Sequence, residues 1–400
     1  GETCSSETPC ALATAVAAAG NGDTIFFRSK DTWSSNGSST ILTAVAGVTY
    51  NGDTYDATSG TDRAKIEATT GFSAEIMVAI NVSNVTFKGF EIDGNQIGGP
   101  DGIEVANRTN GTTISNITID NCIVHDTGNP AATGWAYGIY IGAYGGSETD
   151  NVTLKNSEVY NSYHEGIAIY PSWTTDENIV DTVLVQNCKS HHNGTANTQS
   201  GIGIAVNNDA RNVTIEYCSI YSNTATTGSG YGISIRDSVD DCTAMLNGPT
   251  NLIVRYNLIY SNLNVGIGLW SACGSTGKII TATFVGNLIY NNGTDSGSDN
   301  YDIDFHDGDN WPSGSIISFY NNTIFNNLDT PSNFSNAFNM SRGSGTLSGS
   351  PVFNLYNNII YVVTASTSTS NHLPLYADYG SGTFNHGSNL FYRSTGSTNA

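Results

Sequence analysis

Three side chains suited to sugar chemistry each close a short run led by glycine or aspartate. Arg236 closes Gly232-Ile-Ser-Ile-Arg, Trp270 closes Gly266-Ile-Gly-Leu-Trp, and His306 closes Asp302-Ile-Asp-Phe-His. An indole presents a flat face to the apolar C–H groups of a pyranose. A guanidinium can grip a uronate carboxylate with two hydrogen bonds. His306 or Asp304 can move a proton. For hydrolysis, Asp237 and Asp304 are the candidate acid and base, and their separation would set inversion or retention. For β-elimination, a base takes the proton beside the carboxylate while Arg236 neutralises that carboxylate. Tyr170, which closes Gly166-Ile-Ala-Ile-Tyr, and Asp307 complete the candidate substrate contacts. The run Asp302, Asp304, Asp307 and Asp309 could instead hold Ca2+ through its carboxylates. The competing reading is that all of these are solvated residues with local ion pairs, because structural networks also perturb charges.

A second grouping contains His125, Tyr160 and His191, with His164 and Glu165 close by. A tyrosine between two histidines could take part in proton abstraction. Stacked like side chains on neighbouring strands would give the same pattern for purely structural reasons.

What must position these residues is a repeat. Asn212-Val-Thr-Ile-Glu-Tyr-Cys-Ser-Ile-Tyr-Ser-Asn223 recurs in variant form over Asn151 to Ser162, Val180 to Asn193, Leu252 to Asn262, Phe284 to Asn292, Phe319 to Asn327 and Leu355 to Tyr361. Cys122, Ser157, Cys188, Cys218, Asn257, Asn287, Asn322 and Asn358 share one slot. A recurrence of about 30 to 39 residues marks a stacked-repeat architecture. The short Gly-Ile-x-Ile strand that follows alternates apolar with small or polar residues, the period of a strand with one buried face. Strands so short bury that face only when stacked on copies of themselves. The order up the stack is then expected to be Tyr170, Ala205, Arg236, Trp270, His306 in one outward column. A neighbouring column runs Glu104, Tyr140, Ala168, Gly203, Ser234, Gly268, Asp304, and Gly203, Ala205 and Gly268 form a low floor. A further column of Asn193, Asn223, Asn262, Asn292 and Asn327 is expected to form an amide ladder at a corner.

Composition agrees with one elongated all-β domain. Only 12% of the residues are charged, and 44 are glycine. The net charge of −21 argues against nucleic acid and anionic membranes as partners, and makes calcium binding plausible. No apolar run is long enough to span a bilayer. The Ala-rich stretch from Pro9 to Gly20 is expected to be a short helix within an N-terminal cap over 1–22, followed by the repeat domain over 23–400. Of the seven cysteines, Cys4 and Cys10 can close an N-terminal loop, and Cys242 can pair with Cys273. Cys122, Cys188 and Cys218 are expected to be packed core thiols. This usage favours an extracellular chain, secreted or on the cell surface. Sequons at Asn84, Asn116, Asn151 and Asn212 coincide with the repeat, so Asn36, Asn110, Asn193 and Asn333 are the better glycosylation candidates. The last coil shows no cap, which leaves self-association through that end open.

The Asn-Val-Thr-Ile-x-x-Cys/Asn-x-Ile-Tyr-x-Asn coil followed by Gly-Ile-x-Ile resembles the right-handed parallel β-helix of the pectin-lyase-like superfamily, from about Asp23 to Tyr392. The resemblance implies a single-stranded β-helix and a polysaccharide or glycan partner. The superfamily contains polysaccharide lyases, glycoside hydrolases, uronate epimerases, adhesins and phage spikes. Neither the Asn-Thr-Asp, Asp-Asp, His-Gly and Arg-Ile-Lys set of polygalacturonases nor the arginine-centred signature of pectate lyases is present, so no catalytic residue transfers by motif. Two expectations follow. One is a polysaccharide lyase or glycoside hydrolase working in a groove on the second-strand face. The other is a non-catalytic adhesin, glycan binder or filament subunit.

Overall fold

The computed structural model describes residues 11–55, 63–97, 99–129, 135–172, 178–194, 200–226, 229–237, 248–270, 278–293, 300–306, 311–326, 335–340, 350–365, 375–377 and 382–396. The chain winds as a parallel β-solenoid with three faces, made of two twelve-stranded sheets and one eleven-stranded sheet. Every strand in a sheet pairs with the strand one coil away. Ala210–Glu216, Ser219–Tyr221 and Ser229–Arg236 are one such coil, contributing to the first, second and third sheets in turn.

The twelve-residue repeat is two strands with a corner between them. The corner residue adopts positive φ, for example Asn156 at 52° and Asn187 at 53°. Asparagine tolerates that region better than most residues, which explains its recurrence there. The shared slot falls just after this corner and points inward. Its backbone N–H groups donate up the stack, from Cys218 to Asn257 Oδ1, Asn257 to Asn287, Asn287 to Asn322, and Asn322 to Asn358, at 2.9–3.0 Å. Cys188 N–H meets Cys218 Sγ at 3.4 Å, and the three thiols are buried and unbridged, as expected. Cys4, Cys10, Cys242 and Cys273 lie outside the described residues.

The second corner carries the other amide column. Asn193, Asn223 and Asn262 each donate through the backbone to the side-chain oxygen of the next residue in the column, and all are fully buried. Asn193 is thus a structural amide and a poor glycan acceptor, while Asn36 and Asn110 are exposed. Asn327 and Asn333 lie outside the described residues. This column requires glycine near the start of the third strand at Gly166, Gly203, Gly232 and Gly266. A Cβ on Gly266 would sit 2.7 Å from Asn292 Nδ2. One coil further, Asp302 replaces that glycine, and its Oδ1 accepts from Asn292 N–H at 3.0 Å and Nδ2 at 2.8 Å.

A continuous apolar core runs from Phe27 to Val362 inside the stack. At the N-terminal side, the helix Leu12–Ala18 leans Leu12 and Val16 against that core, one turn apart.

Candidate functional site

The third sheet sets the candidate residues. Ile103, Ile139, Ile167, Ile204, Ile233, Ile267 and Ile303 are in register and face the core. Asn207, Arg236, Trp270 and His306 are consecutive along the axis on the other side. The Arg236–Trp270–His306 order is as expected. One coil differs by two residues: Ala168 pairs with Ala205, not with Gly203, so Asn207 stands beside Arg236. The run Gly201-Ile-Gly-Ile-Ala-Val repeats with period two, so a slip of two leaves the in–out alternation unchanged. The amide column fixes the choice, because Gly203 is the position whose Cβ would lie 2.7 Å from Asn223 Nδ2. The floor is therefore Ala168, Ala205 and Gly268, without Gly203.

The outer face is also less open than an outward column implies. Glu104, Tyr140, Ser234, Asp304 and Asn339 are all buried. A second apolar cluster of Tyr137, Tyr140, Tyr170, Ile202, Tyr231, Val265 and Tyr301 lies against this face, with Trp270 packed on its edge. The Arg236 guanidinium carbon is 5.9 Å from the Trp270 ring centroid, within cation–π range. Trp270 also meets Tyr231 edge-on at 5.2 Å.

The candidate carboxylates are committed differently. Asp304 Oδ1 accepts from Asn339 Nδ2 at 2.7 Å. Asp237 is buried and accepts the backbone N–H of Lys278 at 3.0 Å. Asp302 belongs to the amide column, where burial pushes its carboxyl up to about 8 against the bonds from Asn292. Asp307, Asp309 and the His306 side chain lie outside the described residues. A separate group of possible metal ligands is Glu91, Asp93 and His125, with ligand atoms within 4.8 Å of one another. Lys65 already bridges Asp93 at 2.7 Å there. Burial opposes the His125 proton, but bonds to Asp126 and Glu91 hold it up to about 9. Cation and carboxylates thus neutralise one another.

His125, Tyr160, His191, Tyr221, Tyr260 and Tyr290 form a column on the outer face of the second sheet. Their rings stack at 4.6–5.2 Å and within 13° of parallel. Their faces are covered by one another, so only edges reach outward. Tyr160 is a rung of this structural ladder. His191 also bonds Glu158 at 2.9 Å.

His164 and Glu165 belong to the other face. They sit where the third sheet begins, in the column of residues preceding each strand glycine: Asp101, Tyr137, Glu165, Ile202, Tyr231, Val265, Tyr301. Glu165 is fully buried. Burial raises its carboxyl to about 7, against the pull of the Arg236 charge and the Tyr170 hydroxyl. Tyr170 Oη is 3.2 Å from Glu165 Oε2 and 2.8 Å from Tyr137 Oη, a chain along which a proton can be passed. His164 is held neutral, its value pushed down to about 3 by burial first and by Arg236 second. His164 Nδ1 lies 3.6 Å from Glu165 Oε1, beyond hydrogen-bond distance. Both ring nitrogens, Glu165 Oε1 and both amide atoms of Asn207 are buried and make no hydrogen bond to the described residues. Buried polar atoms without partners are unusual and point to a role beyond packing. The Trp135 ring, 48% exposed, meets the His164 ring at 4.1 Å and 60°. Beside it, Arg108 grips the buried Glu104 with two bonds of 2.8 Å and lies over Tyr144 at 4.4 Å.

The two expected groupings therefore recombine. Arg236, Trp270 and Tyr170 join His164 and Glu165 on one face, while His125, Tyr160 and His191 lie on another. Asp101, Tyr137, Trp135 and Asn207 were not expected. For the first two the signal was the residue before each strand glycine, which register alone makes a column.

The sequence matches no protein-family model and no curated protein. Solved structures share its fold. The A-module of a mannuronan C-5 epimerase of Azotobacter vinelandii superposes with a TM-score of 0.62 at 16% identity, covering 96% of this chain and 91% of that one. A rhamnogalacturonan lyase gives 0.57 at 14% identity over 96% and 84%. The Dettilon tailspike protein gives 0.51 at 16% identity, and the alignment covers 92% of this chain but 63% of the tailspike. The chain is a parallel β-helix protein, and what it shares with these structures is that fold.

Proposed function

We propose that the protein is an extracellular carbohydrate-active enzyme that cleaves a uronate-containing polysaccharide on the outer face of the third sheet. One observation carries this reading: His164 and Glu165 adjoin in a buried site, 3.6 Å apart, with both imidazole nitrogens and Glu165 Oε1 making no hydrogen bond to the described residues, where burial disfavours the charged form of each. Those parts suit β-elimination. The Arg236 guanidinium neutralises the uronate carboxylate and so acidifies the adjacent C–H. His164 accepts that proton as the C4–C5 double bond forms. The C4–O bond breaks, and the protonated Glu165, recharged through Tyr170 and Tyr137, donates to the departing oxygen. Trp270 offers a sugar platform beside Arg236. Asp302 and Asp304, the described members of the run that could hold Ca2+, accept bonds from different asparagines.

The test is a polysaccharide screen that reads unsaturated products by absorbance and reducing ends separately. Both signals together mean elimination. Reducing ends alone mean hydrolysis, with Glu165 still the acid. Neither signal on any uronate polymer overturns the proposal.

A non-catalytic reading is favoured by one other surface. Leu288, Ile359 and Leu390 stand exposed along the second sheet, and a shallow apolar groove is lined by Leu288, Tyr290, Phe325, Ile359 and Tyr361. Ordered fibres of purified protein under the electron microscope would favour a filament subunit.

A further inference from the structure

At the corner between the first and second sheets, asparagine recurs at positive φ: Asn121, Asn156, Asn187, Asn321 and Asn357. Asn187 Nδ2 donates to Asn156 Oδ1 at 2.8 Å, so the column can form its own amide ladder. Two coils break it. Tyr217 and Tyr256 occupy the same corner with φ of 55° and 57°. Their N–H groups keep the corner's bonds to the next coil, at 3.3 Å to Arg255 O and 3.0 Å to Val285 O. A bulky residue is strained in this region, and such outliers concentrate at functional positions.

About half of each tyrosine stays exposed. Tyr217 is 55% and Tyr256 49% exposed, and they stack at 5.4 Å and 22°. The next corner residue is Gly286, whose added Cβ would come within 2.8 Å of the Tyr256 ring. The coil that follows the pair therefore carries no side chain where the ring lies. Asn187 adjoins the pair on one side, and Asn321 lies one coil beyond Gly286 on the other. The first and second sheets lead away from this corner, so the pair stands apart from the Glu165 face on the third sheet.

We infer that Tyr217 and Tyr256 form an accessory binding platform for a glycan chain, separate from the catalytic face. The ring surface that the stacked pair and Gly286 leave open can take the C–H face of a pyranose, and Asn187 on the neighbouring coil offers polar atoms to hydroxyl groups. The acidic surface, at a net charge of −21, favours neutral sugars over uronates at a site without its own cation. The Arg255 guanidinium is engaged by Glu216 through Nε and Nη2. The inference rests on the carbohydrate reading above but not on the chemistry assigned to Glu165.

The experiment is affinity electrophoresis of the Glu165→Gln protein, which cannot turn substrate over if that residue is the acid, in gels containing a neutral β-glucan, a neutral mannan or polymannuronate. Tyr217→Asn/Tyr256→Asn restores the corner's usual residue. It is expected to weaken binding to a neutral polymer by roughly ten- to a hundredfold, the loss expected from two aromatic contacts. Its melting temperature should stay the same or rise. Tyr217→Phe/Tyr256→Phe should keep binding, because the ring faces remain. Unchanged binding in the Asn pair, or no retardation of the parent by any of the three polymers, overturns the platform. Retardation by polymannuronate that vanishes in the Asn pair supports a platform with uronate preference instead. Cleavage by Glu165→Gln would sink the catalytic assignment and leave the platform result standing.

Discussion

At Glu165 the surrounding burial does what no neighbouring sequence feature announces. A carboxyl raised to about 7 is protonated over the acid range and ionised above it. If it donates the proton to the leaving oxygen, kcat/KM should fall as pH rises through about 7. Glu165→Gln should lower kcat by about 10²- to 10⁴-fold, the usual worth of general acid catalysis, with little change in far-ultraviolet circular dichroism. Stability gives an independent check. The folded value lies above that of the unfolded chain, so the stabilisation is full below about 4.5 and is lost as pH rises through about 7. Glu165→Gln should therefore melt higher than the parent above that pH, with the difference vanishing in acid. A parent whose activity and melting temperature ignore this window would remove Glu165 from the mechanism. Glu165 and Arg236 could be singled out from the sequence by type alone. That they act on one another could not, because the loops between their strands differ in length and only the winding closes the distance.

At the scale of the element, the corners carry the fold. Asn287→Ala would strip the acceptor from both Asn257 N–H and Asn257 Nδ2, which it meets at 3.0 Å. Leaving such buried donors unpaired should cost about 2–4 kcal/mol, read as a lower urea midpoint. Hydrogen exchange should speed up first in the coils next to Asn287, since each coil contacts only its neighbours. Uniform loss of protection along the stack would contradict that picture. Asp302 gives a second test in the same column. Its raised carboxyl stabilises fully below about 3.8 and loses that contribution as pH rises through about 8. Asp302→Asn keeps a side-chain oxygen for Asn292 and adds no charge. It should match the parent in acid and exceed its melting temperature above about 8. The repeated asparagines foretold the amide column of Asn193, Asn223 and Asn262, whereas the ladder in the slot of Asn257, Asn287 and Asn322 showed only as a recurrence. Their phase at Gly201 to Val206 was not legible, since a run with period two fits two registers equally and only contact with Asn223 separates them.

At the scale of the molecule, a charge of −21 spread along a stack of twelve-stranded sheets should repel itself. Raising ionic strength from about 0.01 to 0.15 M shortens the Debye length from about 30 to 8 Å and should raise the melting temperature by a few degrees. A fall would mean that local networks such as Lys65 with Asp93 and His125 with Asp126 matter more than the overall field. The described residues contain no helix long and apolar enough to cross a membrane.

The recurrence of Asn, Cys and Gly-Ile pairs determined by itself that this chain winds into a parallel solenoid, because strands so short have no other way to bury an apolar face. It also determined that Arg236, Trp270 and His306 would stand one above another, since one repeat advances the chain by one coil. Only the tertiary structure decided that the aromatic column of the second sheet is a self-stacked ladder, and that His164 and Glu165 belong with Arg236 on the third. The reason is physical: periodicity fixes which residues share a column, whereas burial, and the proton affinities that follow from it, depend on what covers each face.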